Sequence, residues 1–315
     1  MLQILLAAVM LGLLWAVMTI GVYLTFRILG IADLTVEGTI AMGAAIAARA
    51  IIGGMNPYAA TLLAILGGMA AGLVTGLLHT KLKIPALLSG ILTMIALYSI
   101  NLRILGKATL SLLRLDTVYT VFGGLSKLPL FAEAGIGYLV PVIALGLLCV
   151  PAIICILYWF FGTEIGCAIR ATGDNPQMSR AQGINTGNMI ILGLVISNGL
   201  VALSGALIAQ QQSFADIQMG IGSIVIGLAS VIIGEVLFGK NSFFSRLISL
   251  VLGAITYRVI IAFVLELGMP ANDLKLFTAI TVALALSLPE LRSYLRPVVA
   301  GLKGGAESAR GKQSV

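Results

Sequence analysis

Residues 138–161 read YLVPVIALGLLCVPAIICILYWFF, with no Asp, Glu, Lys or Arg among them. About 20 apolar residues suffice for a helix to cross a bilayer, and this run exceeds that length. The same pattern repeats outward in both directions. Further apolar stretches stand at 1–26, 36–53, 57–79, 84–102, 187–210, 220–238, 243–267 and 273–289. The fold class read from them is an all-α polytopic membrane protein with about nine transmembrane helices. Between them, a mixed loop at 103–137 carries Arg103, Lys107, Arg114, Asp116 and Lys127. The short polar piece from Gln212 to Gly220 suits an interfacial helix.

Composition supports the same class. Of 315 residues, 59% are hydrophobic and 10% charged, with mean hydropathy +1.09, whereas a soluble domain carries about 25% charged residues. A soluble fold hides apolar surface only in its interior, and a chain of this length could not hide so much. The formal net charge of +7 raises nucleic acid as a partner. No basic run interleaved with aromatics accompanies it, so no nucleic-acid partner is expected. Cations of membrane proteins gather in cytoplasmic loops, where they face anionic membrane lipid.

No repeat or long linker divides the chain. Residues 1–290 are read as one transmembrane domain and 291–315 as a basic cytoplasmic tail with Arg292, Arg296, Lys303, Arg310 and Lys312. Placing that tail inside and alternating the spans puts Arg27, Lys81, Lys83, Arg170, Arg180, Lys240 and Arg246 inside as well. The N-terminus then lies outside, consistent with a front end that lacks cations. Residues 1–26 have no basic flank before the apolar run, the reverse of a signal peptide, and are read as a retained span. Cys149, Cys155 and Cys167 form no CxxC pair, and His79 has no second ligand near it, so neither disulfide, metal nor cofactor is expected. Gly68, Gly72 and Gly76 make a small-residue stripe suited to close helix packing.

The loop at 166–185, GCAIRATGDNPQMSRAQGIN, contains its own short helix. Asp174 or Asn175 can cap it, Pro176 suits its first position, and Gly183 suits a left-handed stop. About two turns are too short to persist alone in water. With Met178 and Ala181 exposed among polar neighbours, the helix suits a groove on a soluble partner.

This loop resembles the cytoplasmic loop of ABC importer permeases in the branched-chain amino acid and ribose group. The stretch GIADLTVEG at 30–38 is similar to the entry to the second helix in that family, and the resemblance extends over nearly the whole chain. It implies a transmembrane permease subunit of a bacterial importer in the cytoplasmic (inner) membrane. An ABC ATPase subunit, an extracellular or periplasmic substrate-binding protein and a second permease copy are the implied partners. The implied solute is small and polar: an amino acid, aromatic or branched-chain. Mapped onto this sequence, the ATPase-coupling element is Gly173 to Gly183, including Asp174, Asn175, Pro176, Met178 and Ala181. Arg170 and Arg180 are candidate electrostatic contacts or ordinary positive-inside cations.

ATP chemistry is not expected in this chain. It has no GxxxxGK[ST] phosphate cradle and no Ser/His/Asp set. It is read as a transporter subunit rather than an enzyme. Polar residues within spans are the candidates for a translocation path: Glu37, Thr39, Ser197 and Asn198, with Glu235 and Arg258 further along. Ser197 and Asn198 also suit interhelical hydrogen bonding, and Asp33 and Glu37 suit a helix start. The alternative class is an ion-gradient-driven secondary transporter, which calls for carboxylates or broken helices at mid-depth. Carboxylates near span ends count against it.

Overall fold

The computed structural model describes residues 2–120, 139–239 and 242–266, with isolated positions besides. Its helices are α1 (Leu2–Tyr23), continued by a π-helical turn (Leu24–Ile28), α2 (Thr35–Ile52), α3 (Pro57–Thr80), α4 (Ala86–Leu105), α5 (Val140–Gly162), α6 (Glu164–Asp174), α7 (Pro176–Ala181), α8 (Thr186–Gln212), α9 (Ser223–Phe238) and α10 (Phe243–Glu266). Seven of these, α1 with its π turn and α2, α3, α4, α5, α8 and α10, are long and apolar enough to cross a membrane. The expected span at 273–289 lies outside the described residues. So does the tail after 290.

The helices α1 and α8 form the axis of the bundle. α8 packs on α3, α2 and α1, while α1 packs on α10, α9 and α5 as well. Buried Ser197 and Ser204 of α8 donate to the Gly21 and Leu14 carbonyls of α1 at 2.7 and 2.8 Å. Close approach rests on small residues. A Cβ placed on Gly72 or Gly68 of α3 would collide with the α8 backbone at Leu194 or Asn198, so the small-residue stripe packs as its spacing predicts. The outer faces of α3 and α5 carry exposed Leu and aromatic side chains, such as Leu62 and Trp159, in keeping with a lipid-facing surface.

The expectation of an interfacial helix at Gln212–Gly220 is corrected. Strand β2 (Phe214–Asp216) pairs antiparallel with β1 (Thr109–Ser111), with Leu110 opposite Ala215. The reason is that the two loops leave α4 and α8 side by side, so each satisfies the other's backbone groups. Ser213, left-handed at φ 60°, turns the chain from α8 into the strand.

The segment 29–34 runs from the end of α6, where Leu29 meets Gly173, to the middle of the bundle before α2 begins. Asp33 bonds Asn198, close to the midpoint of α8, and Gly90 of α4 packs on the Leu34 backbone. α2 therefore starts inside the bundle. α9, at 16 residues shorter than its expected span, starts there too, because Gly222 at its N-terminus meets Glu37 of α2. Irregular backbone at such depth is tolerated only where protein surrounds it or a cavity receives it.

Candidate functional site

Two places gather the sequence-derived candidates: the α6–α7 corner and the start of α2. At the corner, Asn175 caps α7, its side-chain oxygen accepting from the Gln177 and Met178 N–H groups at 3.1 and 2.9 Å. Pro176 holds the first helical position, and Gly183, at φ +81°, follows the end. Ser179 turns inward and donates to the Asn175 carbonyl at 3.0 Å. Met178, 54% exposed, and the exposed Pro176, Arg180 and Ala181 form the outer face.

The expected coupling element is not one unit, however. Gly173 and Asp174 end α6, a helix that the sequence reading did not distinguish, capped by Thr163 accepting from the Gly166 N–H at 3.3 Å. Gly173 lies against the Ile28 carbonyl at the π-helical end of α1, where any side chain would collide with backbone. Arg170 also turns inward. It donates to the Phe161 carbonyl at 2.7 Å and stands 5.5 Å from the Phe243 ring centroid. Arg180 is exposed, with its Nε donating to Thr186 Oγ1 at 2.9 Å.

At the start of α2, a seam of buried polar groups crosses four helices. Asp33, 2% exposed, accepts from the Thr35 N–H at 3.0 Å and from Asn198 Nδ2 at 2.8 Å. The Asn198 side-chain oxygen accepts from Thr39 at 2.7 Å. The hydroxyls of Thr35, Thr75 and Thr93 continue the seam at 2.8 and 2.9 Å. Thr39, Ser197 and Asn198 thus spend their polar atoms on other protein groups. Asp33, expected at a helix start, bonds the Thr35 N–H there; Thr75 and Thr93 are not among the path candidates, their only signal in the sequence being a polar residue inside an apolar run.

Glu37 stands apart from the seam. It is half-buried and accepts from the Gly222 N–H at 3.0 Å. It lines a cavity of about 310 Å³ with Met94, Ile95 and Tyr98 of α4 and Ile217 and Ile221 beyond β2. Ser99 and Asn101 line it as well. Asp33 and Glu37 lie at the start of a span, as expected of carboxylates near span ends. That start lies deep in the bundle.

Glu235 of α9 pairs with Arg27 at 3.1 Å. Arg258 of α10 stacks over Trp15 at 4.2 Å, so these two do not pair with each other. On the β1–β2 side, Gln210 braces the loop after α4 by accepting from the Val118 N–H and donating to Thr61, both at 2.9 Å. Burial pushes the Tyr119 phenol above its ordinary range; it stays a neutral donor, bonded to the Leu207 carbonyl at 2.9 Å. His79 Nδ1 meets the Ile84 carbonyl at 2.9 Å, a local helix-end contact.

Comparison with known proteins places this architecture. The family model described as branched-chain amino acid transport system, permease component, matches residues 4–286. A tyrosine transport system permease protein of Clostridioides difficile (strain R20291) is 42% identical over 291 residues, covering 92% of this chain and 93% of that one. Two solved structures share the fold. PsaBC from Streptococcus pneumoniae, in complex with Fab, aligns with TM-score 0.52 at 14% identity, covering 93% of both chains. A metal-chelate type ABC transporter in an inward-facing conformation aligns with TM-score 0.50 at 17% identity, covering 92% of this chain and 85% of that one. A multi-pass helical bundle, a capped loop helix and a family match over nearly its whole length lead to one statement: this chain belongs to the branched-chain amino acid transport system permease family of ABC transporters.

Proposed function

We propose that this chain is the membrane-spanning permease subunit of a bacterial ATP-driven importer for an amino acid, with aromatic amino acids as the first class to test. In this reading residues 1–290 are the permease domain and 291–315 a basic cytoplasmic tail. A separate ABC ATPase docks on α7, a substrate-binding protein delivers the solute at the β1–β2 side, and two copies of this chain enclose the path in the cytoplasmic membrane, surrounded by lipid.

The observation that carries the reading is the mounting of α7. A helix of six residues cannot hold itself in water, yet this one is doubly capped, exposes Met178, and leads through α6 to a backbone contact between Gly173 and Ile28. A push on α7 reaches the end of α1 and, five residues on, the Asp33 seam. Met178, Ala181 and Arg180 would meet the ATPase, and Asn175, Pro176 and Gly183 would keep α7 rigid. Gly173, Asp174 and Arg170 would join it to the bundle. The 42% identical relative named for tyrosine transport supports the substrate class. Glu37 would face the path, while Thr39, Ser197 and Asn198 would support it from behind.

The test is reconstitution. The chain should co-purify with an ATPase from neighbouring reading frames, and Pro176→Gly or Arg180→Glu should lower ATP-driven tyrosine uptake by about tenfold or more. Full uptake with residues 173–183 replaced by a flexible linker would refute coupling through α7. The ion-gradient alternative has one observation in its favour, the helix starts at mid-depth. Tyrosine uptake by this chain alone in liposomes, without ATPase or ATP, would establish it.

A further inference from the structure

We propose that the cavity beside Glu37 is a binding station for the ammonium end of a solute whose body is apolar or aromatic. The inference rests on the importer reading and deepens it by assigning a site and a chemical class to the translocated solute.

The argument begins with charge. Glu37 is a carboxylate in a membrane-spanning helix, and such groups are costly unless paired, protonated or in contact with water. Among the described residues no ion pair joins Glu37 to a cation. Its one hydrogen bond among those residues is from the N–H of Gly222, which donates to Oε1. Oε2 is left for another donor. Asn101 supplies a second acceptor. It is 1% exposed, lines the same cavity, and spends its amide nitrogen on the Gly38 carbonyl at 3.0 Å. Its amide oxygen is buried without a partner, a state that ordinarily costs about as much as a lost hydrogen bond and asks for an explanation.

A half-paired carboxylate and an orphaned amide oxygen on one cavity are both acceptors. Their complement is a group with several N–H donors and a positive charge, which an ammonium provides and a carboxylate or sugar hydroxyl does not. The remaining walls choose the rest of the molecule. Met94, Ile95, Tyr98, Ile217 and Ile221 offer a sulfur, branched carbons and one ring, the surroundings that suit an aromatic side chain. The volume, about 310 Å³, falls at the small end of the ~300–1,000 Å³ range of ligand cavities.

The opposing explanation is that Glu37 serves only to hold the start of α9. Glu37→Gln separates the two, because a glutamine still accepts from the Gly222 N–H but carries no charge. In proteoliposomes containing the permease, its ATPase and its binding protein, [3H]tyrosine uptake should fall about tenfold or more in E37Q and recover in large part in Glu37→Asp. The thermal midpoint of purified E37Q should stay with the wild type. A second measurement needs no transport. With Cys149, Cys155 and Cys167 replaced by serine and Ser99→Cys introduced, a cationic methanethiosulfonate should label the cavity faster than an anionic one. That preference should drop about fivefold in E37Q, and tyramine should protect the cysteine where 3-(4-hydroxyphenyl)propionate does not.

E37Q uptake within about twofold of wild type, a labelling preference unchanged by E37Q, or equal protection by the two tyrosine analogues overturns the inference. Absence of ATP-driven tyrosine uptake in the wild type would instead count against the importer reading, and the labelling arm would still decide the cavity.

Discussion

The starts of α7 and α2 solve the same problem in two environments. Each helix begins with N–H groups that no preceding turn can satisfy, and each recruits an Asx side chain. Asn175 serves two N–H groups of its own helix and otherwise faces water. Asp33 serves one N–H group of α2 and then reaches Asn198, 165 positions along the chain, where no water competes. A cap in water is worth about 1 kcal/mol because solvent can replace it. A buried acceptor cannot be replaced, so its removal strands every donor that depended on it. The exposed start is thus tunable and suited to a partner, whereas the buried start is an anchor.

That contrast breaks most visibly at Asp33. Asp33→Ala leaves the Thr35 N–H buried without its acceptor and Asn198 Nδ2 with the Leu194 carbonyl alone, at about 1–3 kcal/mol for a stranded buried donor. Uptake should be abolished and the thermal midpoint in detergent should fall by several degrees. An unchanged midpoint would mean that water reaches the seam and that the two starts are alike after all. Next comes the joint between the two regions. Gly173→Val forces a side chain into the Ile28 backbone, an overpacking cost of about 1–3 kcal/mol, and tyrosine delivered per ATP hydrolysed should fall about tenfold. A preserved ratio would remove this contact from the transmission route.

Smaller effects sharpen the comparison. Asn175→Ala should cost about 1 kcal/mol of α7 stability and weaken ATPase affinity by about fivefold, measured by surface plasmon resonance on nanodiscs. Asn175→Asp, which keeps the acceptor, should restore most of it. The smallest effect is expected at the far end of the seam. Thr93→Val removes one hydroxyl, and the Thr75 hydroxyl that donated to it keeps the Ala71 carbonyl as an acceptor, so the midpoint should drop by no more than that for about 1 kcal/mol. A loss as large as that of Asp33→Ala would show the seam acting as one cooperative unit.

Much of the α7 corner was legible before any coordinates. Asn175, Pro176 and Gly183 are local signals, since capping, φ restriction and left-handed turns depend on neighbours a few residues away. The span lengths were legible for the same reason, and α3, α5 and α8 run within a few residues of expectation. The split of Gly173 and Asp174 into α6 was harder, because Thr163 as a cap resembles any loop threonine until a helix follows it. β2 was misread as helical because its polar residues carry no record of β1 lying opposite. Glu37 is legible as a candidate and Asp33 as a helix-start carboxylate, while the bond from Asp33 to Asn198 and the threonine seam are not.

The long apolar runs, the placement of cations and the motif at 166–185 were enough to say that this chain crosses a membrane many times and to name its family, because hydrophobic transfer and helix-end chemistry act over one or two turns. Depth was another matter. That α2 and α9 begin in mid-bundle, that Asp33 finds Asn198, and that Glu37 opens on a cavity with Asn101 follow from how distant helices pack. Desolvation and hydrogen-bond satisfaction are properties of the surroundings, and those exist only once the bundle has formed.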